Sequence, residues 1–244
     1  MPFSSADRAA LAERAVLRRH LRRYPLFPVG RLGVITHPGP LRHRLFLDYH
    51  YWWQAHLLDC LIDAELRAPD AARRRVIRWL PETVRWRNHG SLINRYYDDV
   101  AWMGLAMGRA HDLLGIETGW RRLQIARYLY DAWREDGPGA GIPWRLRDEF
   151  RNVPANGSMA ILMARLGRLR RSRDTMDWIY RDLHDPVLGL VLEGWRPEGI
   201  DGRLFTYTQG LVATARLDQV PPGTRLPTVE DFYARDAGGR RGAP

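Results

Sequence analysis

The sequence predicts an all-α protein built as two concentric layers of helices, an α/α toroid. Three observations lead there. Apolar residues recur at helical spacing almost throughout the 244 residues, while alternating runs are scarce. Turn chemistry divides the periodic stretches at short intervals. From residue 41 onward, helices that are apolar nearly all round alternate with helices that carry only an apolar stripe. An all-round apolar helix is enclosed and a striped one faces water. The alternation therefore describes hairpins that send one helix inward and one outward. Pattern alone leaves an irregular all-α domain open as the simpler alternative.

The elements follow in order. A first helix over 5–24, with the turn residues Pro28, Gly30 and His37-Pro38-Gly39-Pro40 behind it, makes residues 1–40 an N-terminal helix and linker. Helix 41–67 carries Leu45, Tyr49, Trp52, Trp53, Leu57 and Leu61 with few charges in its middle. Helix 70–87 sets Arg73, Arg74, Arg75, Arg78 and Arg85 around a stripe of Val76, Trp79 and Leu80. Helix 96–114 is apolar nearly all round, through Val100, Trp102, Met103, Leu105 and Met107, and stops at Gly115. Helix 119–134 is striped again, with Arg121, Arg122 and Arg127 against Leu123, Ala126 and Tyr130. After the Gly137–Gly141 run, helix 155–170 is enclosed through Met159–Met163, and helix 172–184 is amphipathic. Asp185-Pro186 and Gly199–Gly202 are turns before a last apolar helix, 205–217, rich in small residues. Residues 41–217 then form the toroid domain. Residues 218–244, rich in Pro, Gly and Arg, form an irregular tail.

Composition narrows the function. Hydrophobic residues at 45% and charged residues at 27% suit a soluble globular chain and are too apolar for general disorder. The net charge of +10 raises nucleic acid or an anionic membrane as a partner, and all 38 basic residues are arginine. These arginines scatter over the striped faces, so neither partner is expected. The lone Cys60 excludes an intrachain disulfide and a Cys-based zinc site. Seven of the eight histidines precede residue 112 without a His-Glu-x-x-His spacing, so no metal is expected. The Gly137–Gly141 run lacks the Lys-Ser/Thr of a phosphate loop, and no Gly-x-Ser-x-Gly marks an acyl hydrolase. No stretch approaches eighteen apolar residues, and Met1–Arg23 has no apolar run of signal-peptide length. A cytoplasmic chain is the expectation.

The chemistry concentrates at Asp98-Asp99, which open an enclosed helix behind Tyr96-Tyr97 and before Trp102. One reading is structural: Asp is a favoured N-cap, and the helix dipole stabilises carboxylates in the first turn. It explains one aspartate better than two. The other reading is a glycosidase pair. Retaining glycosidases need a nucleophilic carboxylate and a protonated acid about 5–5.5 Å apart, which neighbouring side chains can achieve. A helix N-terminus favours the anion of one, and that anion raises the pKa of the other. Aromatic rings beside the pair suit the apolar C–H faces of sugars.

Tyr97-Asp98-Asp99-x-x-Trp102-x-x-Leu105-Ala106 resembles the signature of glycoside hydrolase family 76, the endo-α-1,6-mannanases with an (α/α)6 barrel. Further matches keep the family's order. Trp52-Trp53-Gln54-Ala55 fits its opening inner helix, and Gly139-Ala140-Gly141-Ile142-Pro143-Trp144-Arg145 resembles its glycine-rich loop ending in Ile-Pro-Trp. Asn156 matches an asparagine opening the next inner helix, and Asp177-Trp178-Ile179 the outer helix that follows. Phe205-Thr206-Tyr207-Thr208-Gln209-Gly210 is close to a Thr-Tyr-Asn-Gln-Gly segment, with Thr208 departing from asparagine.

The resemblance implies a retaining hydrolase of α-mannan or manno-oligosaccharides without metal or organic cofactor. Asp98 would be the nucleophile and Asp99 the acid/base. Tyr97, Trp102, Trp144, Asn156, Tyr207 and Gln209 would line the sugar subsites. Length is the departure. The three complete hairpins within 41–184 average about 48 residues, so six would need roughly 290 after position 40. The expectation is an incomplete toroid of about seven of the twelve barrel helices, truncated at the C-terminus. Its exposed inner-helix flanks invite self-association. An inactive fragment that retains at most carbohydrate binding is the alternative function.

Overall fold

The computed structural model describes residues 4–135, 139–221 and 223–224. Helix α1 (Ser5–Arg19) opens with a capping box in which Ser4 and Asp7 satisfy each other's backbone N–H groups. Strands β1 (Leu21–Arg23) and β2 (Arg31–Gly33) pair antiparallel, Arg22 opposite Leu32. Then come α2 (Leu41–Arg44), α3 (Tyr51–Arg67), α4 (Ala71–Arg87), α5 (Tyr97–Leu114) and α6 (Gly119–Asp131). The chain continues through β3 (Arg151–Asn152), α7 (Val153–Arg165), α8 (Leu169–Leu183), β4 (His184–Asp185) and β5 (Leu190–Val191). It closes with β6 (Gly194–Arg196), β7 (Gly199–Asp201) and α9 (Thr206–Asp218).

Two layers are present. Helices α3, α5, α7 and α9 pack side by side in that order as the inner layer. Each of the hairpins α3–α4, α5–α6 and α7–α8 sends its second helix to the outside. The arrangement is an arc of an α/α toroid. Burial follows the sequence pattern: α7 is buried from Val153 through Ala164, while α4 buries only a stripe that includes Ile77, Leu80 and Val84. No described helix is long and apolar enough to cross a membrane.

Several boundaries differ from the sequence expectation. The helix expected over 41–67 is interrupted at 45–50, where Phe46 takes a left-handed backbone conformation (φ 57°). That turn drives the Phe46 ring into the core, edge-on to Tyr24 at 5.7 Å. Burial of a large ring outweighs the local helical periodicity. Residues 21–23, expected at the end of the first helix, are a strand. The helix expected over 155–170 begins at Val153 and ends at Arg165, because Gly167 is left-handed (φ 72°) and its neighbour Arg168 donates back to the Met163 carbonyl. The strands are two or three residues long, too short for any alternation to show in the sequence. The tail expected over 218–244 lies almost wholly outside the described residues, as do Gly137 and Pro138.

The concave side of the arc is open. A groove of about 440 Å³ runs between the inner helices, lined by Ala55, His56, Trp102, Ala106, Tyr207 and Leu211 among others. The layers themselves are held close where α5 meets α6 and α7. A Cβ on Gly104 would stand 2.8 Å from Ile125 and 2.9 Å from Leu162. Replacing Gly104→Val should therefore lower stability by about 1–3 kcal/mol through overpacking, read as a drop in thermal melting temperature. Gly210→Ala, where a Cβ meets nothing within 4 Å inside α9, should instead raise the melt slightly, because alanine is the better helix former.

Candidate active site

The site is built where α5 begins. Tyr96 is extended and precedes the helix, and backbone bonds join this segment to the loop before β3. Tyr97 N–H donates to the Trp144 carbonyl (2.9 Å) and Leu146 N–H to the Arg95 carbonyl (2.7 Å). This short antiparallel bridge brings Trp144 against the first turn of α5. Its indole Nε1–H donates to Asp98 Oδ2 at 3.0 Å. Asp98 Oδ1 accepts the Asp99 N–H at 2.9 Å, so one aspartate does serve the helix end, as the structural reading expects. Asp99 does not: its Oδ2 accepts from Asn94 Nδ2 at 2.8 Å.

The two carboxylates sit in a cleft of about 440 Å³ walled by Tyr49, Tyr51, Trp52, Arg95, Tyr96 and Trp144. Burial pushes Asp98 above the ordinary carboxylate range, opposed by the Asp99 N–H and the Trp144 indole. Asp99 is pushed further, to about 7, by burial first and by the neighbouring Asp98 charge second, against the Asn94 amide. The lower member of the pair is thus Asp98. As the pH falls below about 7, Asp99 takes up its proton before Asp98 does.

The structure divides the residues expected to line the site. Trp144 lies in the cleft. The Tyr97 ring is buried behind it, stacked on Tyr128 with centroids 5.1 Å apart, and so faces away from any ligand. Trp102 is one turn further along α5 and faces the concave groove, its ring 4.8 Å from His56. Tyr207 lines the same groove, and its hydroxyl donates to Glu193 Oε1 at 3.2 Å.

Asn156 and Gln209 are corrected more strongly. Asn156 is fully buried; its amide accepts the Ile142 N–H (2.8 Å) and donates to the Ile142 and Asn152 carbonyls (2.8 and 2.9 Å). Unpaired loop backbone beneath the core must be satisfied, and this side chain does it. The left-handed Gly141 beside it (φ 113°) has no room for a Cβ, which would lie 2.5 Å from Asn156 Oδ1. Asn156 therefore reaches the carboxylates only through the loop that carries Trp144. Gln209 likewise closes its amide on both backbone groups of Val191, at 3.0 and 2.8 Å.

Three functional candidates were not singled out from the sequence for this site. Asn94 carried a signal, since Asn two residues before an extended residue is an Asx-turn pattern; its Oδ1 accepts the Tyr96 N–H at 2.7 Å. Tyr49 read as core, yet its hydroxyl is buried in the cleft wall with no hydrogen-bond partner among the described residues. Glu193 is a buried carboxyl held by Tyr207 and Thr208, and burial raises its pKa. Among the described residues no cluster of His, Cys, Asp and Glu has the geometry to hold a metal.

A family model described as glycosyl hydrolase family 76 matches residues 11–217. The chain belongs to glycosyl hydrolase family 76. Solved structures agree in fold. The Lin0763 protein of Listeria innocua superposes with a TM-score of 0.78 at 26% identity, over 88% of this chain and 64% of that one. An inactive α-1,6-mannanase variant from Salegentibacter sp., altered at two consecutive aspartates and bound to an α-1,6-linked mannotetraose, gives 0.76 at 22%, over 89% and 64%. A family 76 mannosidase of Bacteroides thetaiotaomicron gives 0.70 at 17%, over 96% and 70%. The chain thus spans just under two thirds of the length of the Listeria and Salegentibacter proteins. A search of curated protein sequences gave no match.

Holding a proton on Asp99 makes the family 76 cleft pH-dependent in a way that stability measurements detect. An unfolded aspartate releases its proton near 3.8, whereas the folded Asp99 keeps it to about 7. Its contribution to stability is therefore complete below 3.8 and lost as the pH rises through 7. Asp99→Asn, which stays neutral, should melt close to the native chain at pH 4 and clearly above it at pH 8. Parallel melting curves across that range would show that Asp99 is not a buried, raised carboxyl.

Proposed function

We propose that this chain carries a retaining glycoside hydrolase site for α-1,6-linked mannan or manno-oligosaccharides, with Asp98 as nucleophile and Asp99 as acid/base. One observation carries the reading: two adjacent buried carboxyls whose surroundings separate their protonation. The indole and the helix N–H favour the anion on Asp98, and Asp98 in turn favours the proton on Asp99. The Salegentibacter mannanase adds support. Its inactive variant is altered at two consecutive aspartates, and Asp98-Asp99 is the only such pair in this sequence.

The two roles imply the steps. An Asp98 carboxylate oxygen attacks the anomeric carbon as Asp99 gives its proton to the departing glycosidic oxygen. The glycosyl ester on Asp98 is then released by water, whose proton returns to Asp99. Trp52, Tyr96 and Trp144 offer ring faces to the sugar. Neither step calls for a metal.

The purified chain should release reducing sugar from α-1,6-mannan, with activity falling above about pH 7 as Asp99 loses its proton. Asp98→Asn and Asp99→Asn should each reduce the rate by at least about 10³-fold while remaining folded by circular dichroism. With an activated α-mannoside, Asp99→Ala should accumulate one hexosyl mass on the peptide containing Asp98. Folded protein without turnover, yet with calorimetric binding of manno-oligosaccharides, would replace hydrolysis by carbohydrate binding.

A further inference from the structure

The acid/base in this reading is a carboxyl with two oxygens, and only one of them can carry its proton usefully. Asp99 Oδ2 accepts from Asn94 Nδ2 at 2.8 Å, while Oδ1 has no hydrogen bond among the described residues. An oxygen that accepts an amide N–H is the carbonyl-type oxygen of a neutral carboxyl, so the proton belongs on the other. The direction of the Asn94 amide is itself determined. Its Oδ1 accepts the Tyr96 N–H at 2.7 Å, and a backbone N–H can only donate. The NH2 end must therefore face Asp99 in either protonation state. The Asn94 backbone is tied as well, its carbonyl accepting the Tyr128 hydroxyl at 3.3 Å.

We propose that Asn94 is the positioning residue of the acid/base: it occupies Asp99 Oδ2, directs the transferable proton to Oδ1, and holds that carboxyl beside Asp98. The proposal rests on the hydrolase reading for its role in turnover, but the placement of the proton stands on geometry alone. Asn94 also tunes the acid. A donor to the carboxylate stabilises the anion and so restrains the rise that burial and the Asp98 charge impose. The other titratable groups lining the cleft around Asp99 are Asp98 on its own helix, Tyr49 and His50 just before α3, Tyr51 at its start, and Arg95 and Tyr96 ahead of α5. None of these donates a hydrogen bond to it among the described residues. Among the described residues Asn94 is the one hydrogen-bond partner of the Asp99 carboxyl.

Two variants separate tuning from folding. Asn94→Ser keeps an acceptor for the Tyr96 N–H and removes the donor to Asp99, and Asn94→Ala removes both. The protonation of Asp99 is read directly by carbon-13 carboxyl resonance titration, assigned by its loss in Asp99→Asn. In both variants the midpoint should rise by about one pH unit. The alkaline limb of kcat/KM on α-1,6-mannan should move up with it, and kcat should fall about tenfold with KM little changed.

An unmoved Asp99 midpoint in folded Asn94→Ser would overturn the proposal, even if the melting temperature falls. A lowered kcat with an unmoved limb would do the same. If the native chain hydrolyses no α-mannan, the hydrolase reading fails by itself, and the carboxyl titration still decides whether Asn94 controls Asp99.

Discussion

Placing two carboxyls side by side at the start of an enclosed helix is the constraint on which the rest of this structure turns. Removing a carboxylate from water is costly, and removing two that repel each other is costlier still. The chain meets this cost asymmetrically. Asp98 receives an indole N–H and a helix N–H and stays closer to an ordinary carboxylate, whereas Asp99 receives one amide and keeps a proton to about 7. Had both been fully supplied with donors, both would ionise and the pair would lose its division of labour. Had neither been, both would be neutral and no anion would remain.

Those donors come from different parts of the chain, and each is braced by a layer behind it. Trp144 sits on a loop with few contacts of its own kind. It is fixed because Asn156, fully buried in α7, closes its amide on Ile142, and because Trp144 N–H donates to the Phe150 carbonyl at 2.7 Å. Asn94 is fixed by Tyr96, by Tyr128 and by the loop that Asn88 ties through the Ser91 and Ile93 carbonyls. The inner helices of the arc thus act as a frame whose N-terminal loops bond to one another across α5. The outer layer reaches the cleft through Asn88 at the C-cap of α4; its arginines pair with nearby acids, as Arg121 does with Glu82 at 2.5 Å. The net charge of +10, which first raised nucleic acid, is largely the solvated face of that outer layer.

The residues that the resemblance to family 76 singled out fall in different surroundings in the structure. Trp144 stands beside the pair, as the aromatic setting implied. Tyr97 is next to Asp98 in sequence, but the 100° step between neighbouring helical residues turns it away, onto Tyr128. Trp102 and Tyr207 share the concave groove rather than the aspartate cleft. Asn156 and Gln209 are polar residues at helix starts, and from sequence alone such residues are as open to a ligand as to a loop. Burial decides between the two, and burial is not visible in a single residue's neighbours along the chain.

What the sequence determined by itself was the two-layer helical plan and the place of the adjacent aspartates at the start of an enclosed helix. Helical periodicity, the alternation of enclosed and striped helices, and a lone Asp-Asp at an enclosed helix start are all local patterns. The tertiary structure decided what depends on groups far apart in the chain. It interrupts the helix expected over 41–67 because the Phe46 ring has a buried place against Tyr24. It brings Trp144, 46 residues away, onto Asp98, and it spends Asn156 on the backbone beneath. Above all it separates two chemically identical side chains into an anion and an acid. That difference is set by the donors and the burial around each carboxyl, and no property of the Asp-Asp dipeptide contains it.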